Sequence, residues 1–473
     1  MRFIIVFILL SVSCLYAQVN LNLVKDQIEN GKFSKATTII QKMLKDNKTS
    51  ETEKLDLTFE LERMDRIKED FDKSEEDILK YLKKYYPNIK SKDLAKWEKT
   101  NQLEHKIIDG KKLYFTRSNS NLFLINPEAK KDKEKVDGVG VDGLNTFLDK
   151  YIPKVVDKYY KQNTNLTDPV KILIDYTLSV KPNVVPAGEI IRCWMPYPRE
   201  TNRRQQNIKL ISVNNNEYIV AGEEQKQRTI YLEKIAEKDK ETVFNYELEY
   251  LAAAEFNKIS IEKVKPYDVN SELYKEFSAE RPPHIVFSEK IKKASQEIVG
   301  EEKNPYLAAK KIFTWIDKNI PWAGAREYST LYNISDYCIT NGHGDCGIKT
   351  LLFMTLCRCN GIPTKWQSGW MLHPDNVNLH DWGEIYFEGY GWLPVDQSFG
   401  LTVSENEDVQ YFYLGGIDSY RLIVNDDFSV PLFPAKIYPR SETVDFQRGE
   451  VEWRGGNLYF DKWDYDMQVK YSE

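Results

Sequence analysis

The chain has 473 residues and a formal net charge of -6, with 41% hydrophobic and 13% aromatic residues. At ~150 residues per domain this length implies about three domains, and the apolar content excludes a globally disordered chain. The mildly acidic balance, with both signs interleaved, argues against a polyanionic partner such as nucleic acid.

Residues 1–17 read as a secretory leader: Arg2, the apolar run Phe3 to Leu10, and small residues up to a cut after Ala17. The run is well short of the ~20 residues that span a bilayer, and no later run comes near that length, so no integral membrane segment is expected in the mature chain. The reading is an exported protein, periplasmic or extracellular. Lipid anchoring through Cys14 is the competing reading, but Ser11 stands where such motifs carry Leu. Cleavage leaves Cys193, Cys338, Cys346, Cys357 and Cys359, an odd set, so one thiol is expected to be unpaired.

Residues 18–165 are expected to form a helical N-terminal region. Asn20 to about Tyr86 is charge-rich with almost no Gly or Pro. Asp77–Leu82 and Ser91–Trp97 follow as short helices, and Leu103–Phe115 as a hairpin turning at Asp109-Gly110, the outline of a winged helix. Lys130–Lys135, leading to Gly138 and Gly140, reads as a linker. Residues 166–280 change to period-2 text at Ile172–Val180, Glu189–Met195, Thr229–Leu232 and Val243–Leu251, which predicts a β-sandwich-like domain.

Ser288–Val299 and Asn304–Ile320 read as helices, the second with an Asn cap and Pro at its first position. Gly344-Asp345-Cys346-Gly347 then opens an apolar run that Gly361 and Pro363 stop, a buried helix with Cys346 in its first turn. Backbone N–H groups there favour a thiolate and supply a donor for an oxyanion. His380-Asp381-Trp382-Gly383-Glu384 reads as a strand, and Gly391–Asp396 as its antiparallel neighbour, which can set Asp396 beside His380. Beyond Gly400, residues 401–473 read as a β-rich C-terminal extension, with Val451–Trp453 and Leu458–Phe460 as strands that finish a sheet or pack back on the sandwich.

Gly344-Asp345-Cys346-Gly347, Arg358-x-x-Gly361-Ile362-Pro363, His380-x-Trp382-x-Glu384 and Gly391-Trp392-x-Pro394-Val395-Asp396 together resemble the transglutaminase-like superfamily over residues 285–400. The resemblance implies an α+β multidomain protein whose papain-like core is preceded by the helical region and the sandwich. It also implies Cys346 as nucleophile, His380 as base and Asp396 as orienter. Trp322 is a candidate for the oxyanion or substrate groove, as are Trp366 and Trp370, although sheet packing suits the last two better. Neither a metal nor another cofactor is expected: His343, His373 and His380 lack a short-spaced ligand partner, and no acidic calcium loop is legible. The expected substrate is a polypeptide or cell-wall peptide, cleaved through a Cys thioester. Protein cross-linking and a non-catalytic peptide-binding scaffold are the alternatives.

Overall fold

The structure is a computed structural model that describes residues 21–140, 142–167 and 169–472. The leader, its cleavage point and Cys14 lie outside the described residues. The chain forms two compact units: Met1–Val139 with Ser329–Leu331, and Gly140–Tyr328 with Tyr332–Glu473.

The first unit contains α1 (21–29), α2 (Phe33–Leu44), α3 (Glu51–Asp70), α4 (Glu75–Leu82), α5 (Ser91–Glu98), the hairpin β1 (His105–Ile108) and β2 (Lys111–Tyr114), α6 (Ser118–Ile125) and α7 (Pro127–Asp137). Ser50 and Ser74 each form a reciprocal cap with the acidic residue three positions on, which sets where α3 and α4 start. Asp109 and Gly110 both adopt positive φ and turn the hairpin. Ile78, Leu82, Leu94, Trp97 and Leu122 form one buried cluster of this unit.

The predicted linker at Lys130–Lys135 is instead part of α7. Asn126 caps it by accepting from Ala129 N at 2.8 Å, and Pro127 occupies its first position. Its mixed charges pair along the helix, Lys133 with Asp137 at 2.8 Å and Lys135 with Asp132 at 2.7 Å. Composition alone does not separate such a self-paired helix from a solvated tether.

The second unit opens with α8 (Gly143–Gln162) and runs through β3 (Val170–Val180), β4 (Ile190–Pro196), β5 (Gln205–Val213), β6 (Ile219–Val220), β7 (Thr229–Ile235), β8 (Thr242–Ala252) and β9 (Glu255–Phe256). Helices α9 (Glu272–Phe277), α10 (Glu289–Val299), α11 (Pro305–Asn319), α12 (Ile334–Asn341) and α13 (Cys346–Cys359) follow. Then come β10 (Thr364–His373), β11 (Asn376–Phe387), β12 (Gly391–Val395), α14 (Glu407–Gln410), β13 (Gly416–Ile417), β14 (Arg421–Asn425), β15 (Glu450–Trp453), β16 (Gly456–Leu458) and β17 (Trp463–Ser472).

Two antiparallel sheets, β16-β15-β4-β7-β6 and β17-β3-β8-β5, contribute alternate side chains to one core: Ile172, Tyr176 and Phe244 from one sheet, Ile191, Cys193 and Met195 from the other. The C-terminal strands complete both sheets, since β15 pairs with β4 and β17 with β3. Strands β5 and β17, absent from the sequence-based expectation, are both edge strands. β5 has exposed polar positions and two register shifts that break its alternation, whereas β17 alternates clearly, with Trp463, Tyr465, Met467, Val469 and Tyr471 between polar residues. The strand expected at Leu458–Phe460 is shifted two residues toward the N-terminus, to Gly456–Leu458.

A third sheet, β12-β11-β10-β14, is also antiparallel. Trp370, Leu372, Leu422 and Val424 of this sheet belong to the sandwich core, so the sandwich, the thiol segment and the C-terminal extension share one interior. Among the described residues no helix is long and apolar enough to cross a membrane.

Candidate active site

Helix α13 is buried on every side from Gly347 to Arg358, as its continuous apolar text requires. Its start is set by Asp345, which accepts from Ile348 N at 3.1 Å, and its end by Gly361 at φ +68. Arg358 then donates to Thr364 O at 2.6 Å and fastens the helix exit to β10. Cys346 is therefore the first helical residue, half-buried at the N-terminus of a helix whose buried stretch begins at Gly347.

Strand β11 carries His380, and β12 pairs with it so that Gly383 faces Val395. Asp396 follows β12 directly. Its Oδ2 accepts from His380 Nε2 at 2.8 Å, and its Oδ1 accepts from the backbone of Ser398 (3.0 Å) and Phe399 (3.1 Å). Burial works against the carboxylate, but His380 and Arg421 outweigh it and hold Asp396 below its ordinary range. An ionised Asp396 fixes the proton of neutral His380 on Nε2 and leaves Nδ1 free to accept one. Burial depresses the imidazole more than Asp396 raises it, so His380 rests neutral.

The Cys346 thiol donates to Asp381 Oδ2 at 3.4 Å. Among the described residues it does not hydrogen-bond to the His380 ring. Asp381 adjoins His380 on β11, and Tyr328 binds the same group: its hydroxyl donates to Asp345 Oδ1 at 2.7 Å and accepts from Gly347 N at 3.1 Å. The other oxygen of Asp381 accepts from Gln447 at 2.5 Å. Gly347 is required by this close approach, since a Cβ there would lie 2.3 Å from the Tyr328 hydroxyl and 2.6 Å from Asp381 Oδ2. Burial, then Asp381 and Asp345, push the Cys346 thiol well above its ordinary range. This favours the thiol form of Cys346, contrary to the preformed thiolate expected from the helix N-terminus alone. The reason is that nearby carboxylates and desolvation oppose the helix field.

The three candidate tryptophans separate. Trp322 is 46% exposed, and its backbone is bridged to Gly344, two positions before Cys346. Trp366 and Trp370 are fully buried and donate their indole N–H groups to Ser368 (3.0 Å) and Gln447 O (2.8 Å). So placed they present no face to a substrate, and the groove role expected for them gives way to sheet packing. The described cysteines are all free, so Cys338 pairs with none of them.

The sequence reading missed Arg421, Asp418, Gln447, Tyr328 and Asp381. Only Asp381 had a signal, its place between His380 and Trp382. The others come from loops and from the C-terminal extension, and only tertiary structure brings them in.

Residues 292–397 match the model of the transglutaminase-like superfamily. No curated protein matches the sequence. Among solved structures, a candidate cysteine protease from Cytophaga hutchinsonii is similar at 16% identity and TM-score 0.44, over 65% of this chain and 91% of that one. The periplasmic domain of TgpA from Pseudomonas aeruginosa is similar at 11% identity and TM-score 0.26, over 52% of this chain and 96% of its own. The same domain bound to ethylmercury gives 10% identity and TM-score 0.25, over 55% and 97%.

Proposed function

We propose that this chain, which carries a transglutaminase-like core over residues 292–397, is an exported thiol enzyme that cleaves amide bonds of a polypeptide or cell-wall peptide. The observation that carries the reading is the buried His380–Asp396 pair at 2.8 Å, with Cys346 at a helix N-terminus against Asp381, the neighbour of His380. In the proposed reaction the thiol turns from Asp381 to His380 Nδ1, which takes its proton as Sγ attacks the amide carbonyl. The imidazolium, stabilised by Asp396, then protonates the departing amine and leaves an acyl thioester on Cys346. Water attacks the thioester, His380 takes the water's proton and returns it to sulfur. The backbone N–H of Cys346 and the exposed Trp322 indole are the candidate donors for the oxyanion. Export rests on the leader reading of residues 1–17.

Cross-linking is the second reading, favoured by one observation: the carboxyl group of Asp345 beside the thiol, raised only to about 6, is ionised at neutral pH and would attract a cationic amine acceptor. Incubation with casein and a fluorescent primary amine separates the two. Hydrolysis is expected to release fragments or ammonia, and Cys346→Ser to abolish the release. Amine incorporation without fragmentation or deamidation would replace hydrolysis with transfer.

A further inference from the structure

Behind the His380–Asp396 pair lies a second His–Asp pair. Arg421, at the start of β14, donates from Nη1 to the same Oδ2 of Asp396 that His380 binds, at 2.9 Å. Its Nη2 and Nε donate to Asp418 Oδ2 at 2.7 and 3.0 Å. The other oxygen of Asp418 lies 3.0 Å from His373 Nε2 and accepts from Tyr420 N at 2.9 Å. None of these five side chains is more than 4% exposed. Phe399 sits between the two imidazoles, with its ring 4.9 Å from His380 and 5.7 Å from His373, and the guanidinium lies 4.3 Å from the same ring.

We infer that Arg421 is a positioning residue of this site, clamped by Asp418, that holds the Asp396 carboxylate aimed at His380. The inference rests on the reading of His380 as the base. Its physical content is a charge balance. Two buried carboxylates share one guanidinium, which leaves one negative charge among these three groups. Transfer of the thiol proton to His380 cancels that charge inside a region from which water is excluded. Without Arg421, burial would drive Asp396 toward its neutral acid, and a neutral carboxyl stabilises imidazolium poorly. Without Asp418, the guanidinium would lose its second anchor and could turn away from Asp396. The charged and titratable groups that act on His380 and Asp396 are each other, Arg421 and His373, with Lys349 of α13 and Tyr413 acting on Asp396.

The test follows the His380 imidazole by NMR titration in protein carrying labelled histidine, beside release of casein fragments. In Arg421→Met burial drives Asp396 toward its neutral acid and the imidazolium loses its counter-ion, a loss that outweighs relief of the guanidinium's repulsion, so the His380 midpoint is expected to fall by about one pH unit. Turnover should fall by about 100-fold at unchanged KM, because the orienter is no longer held. Arg421→Lys should restore part of the midpoint. If Arg421→Met does not fold, Asp418→Asn carries the test: it removes a negative charge from the cluster, so the His380 midpoint should fall. An unmoved midpoint in whichever variant folds overturns the inference, since a merely structural residue would change melting temperature and leave the titration alone. The Cys346→Ser control separates the two readings. If it is inactive while the midpoint stays put, this inference alone fails; if it keeps parental turnover, the proposed function fails and this inference with it.

Discussion

Asp396 and Asp381 are both buried aspartates of one site, 0% and 1% exposed, yet their carboxyl groups shift in opposite directions. Asp396 is held below the ordinary range and Asp381 well above it. Burial raises both, so burial is not the difference. Asp396 has a guanidinium and an imidazole on one oxygen and two backbone N–H groups on the other. Asp381 has a thiol, a tyrosine hydroxyl and an amide as partners, and Asp445 and Asp345 add negative field to the burial term. Neutral donors can satisfy a buried carboxyl's lone pairs without offsetting its charge. The imidazole side of the site is thus built to hold an anion, and the thiol side to hold neutral groups.

The largest expected effect comes from breaking the imidazole side. Asp396→Asn should lower turnover by ~10³-fold or more, since an amide neither stabilises imidazolium nor enforces the Nε2–H tautomer. It should also destabilise the fold by ~2–4 kcal/mol, because Arg421 and its Nη1 donor would lose a buried anionic partner. Casein turnover and chemical denaturation measure the two. Parental turnover in a folded variant would remove Asp396 from the mechanism.

Next in size is the thiol side. Alkylation of Cys346 by iodoacetamide should have its midpoint above the ~8.5 of an ordinary thiol, because burial, Asp381 and Asp345 oppose the thiolate. Asp381→Asn should move that midpoint down by about one pH unit, equivalent to ~10-fold faster labelling at neutral pH. Peptide mapping identifies the labelled cysteine. A parental midpoint already below pH 7 would show that the helix field wins and that the contrast between the two aspartates is wrong.

The same contrast has a signature in stability. Burial raises Asp345 to about 6 and Asp445 to about 7. Their folded-state values thus lie above the ~3.9 of an unfolded Asp. Their contribution is fully present below about pH 4 and is lost as pH rises through 6 and 7. Asp396 and Asp418 are depressed, so theirs is present above about pH 4 and lost on acidification. Denaturation midpoints of parent and Asp445→Asn, compared between pH 4 and 8, should diverge by ~1–3 kcal/mol, with the parent losing more. Parallel curves would place Asp445 among ordinary carboxylates.

How much of this was legible before folding depends on how locally each feature is written. Cys346 could be found because a capping Asp, an apolar run and a Gly/Pro stop mark one buried helix. His380 and Asp396 could be found because two strands and their turn occupy one short stretch. Arg421, Asp418 and Gln447 carry no local mark. Each is an ordinary polar residue in loop-rich text, brought to the site by β14 pairing with β10 and by the chain's return to the sandwich. The thiol's state was misjudged for the same reason, since the helix field is local and the opposing carboxylates are largely tertiary. Edge strand β5 escaped because exposed polar positions and register shifts break its alternation, whereas β17 alternates from Trp463 to Tyr471 and was readable as a strand.

The smallest expected effect tests the sheet behind the thiol side. Trp366 shares a face of β10 with Ser368, whose register partner is Asp381, so a groove along that face would pass beside the nucleophile. Its side chain is nonetheless fully enclosed: the indole N–H goes to Ser368 Oγ at 3.0 Å, and the ring meets Phe428 edge-on at 6.0 Å between centroids. Trp366→Phe removes a ring and one donor, while Ser368 Oγ keeps the bond from Asn425 at 2.9 Å. No acceptor is stranded, and the cost is that of a small cavity and one neutral hydrogen bond, about 1–2 kcal/mol. Thermal melting should record that loss while kcat and KM for casein stay within about twofold of the parent. A KM rise of tenfold or more in a variant that melts like the parent would return Trp366 to the substrate groove. It would also mean that the sheet opens beside the thiol, and that the neutral, enclosed side of the site is a closed state of a cleft.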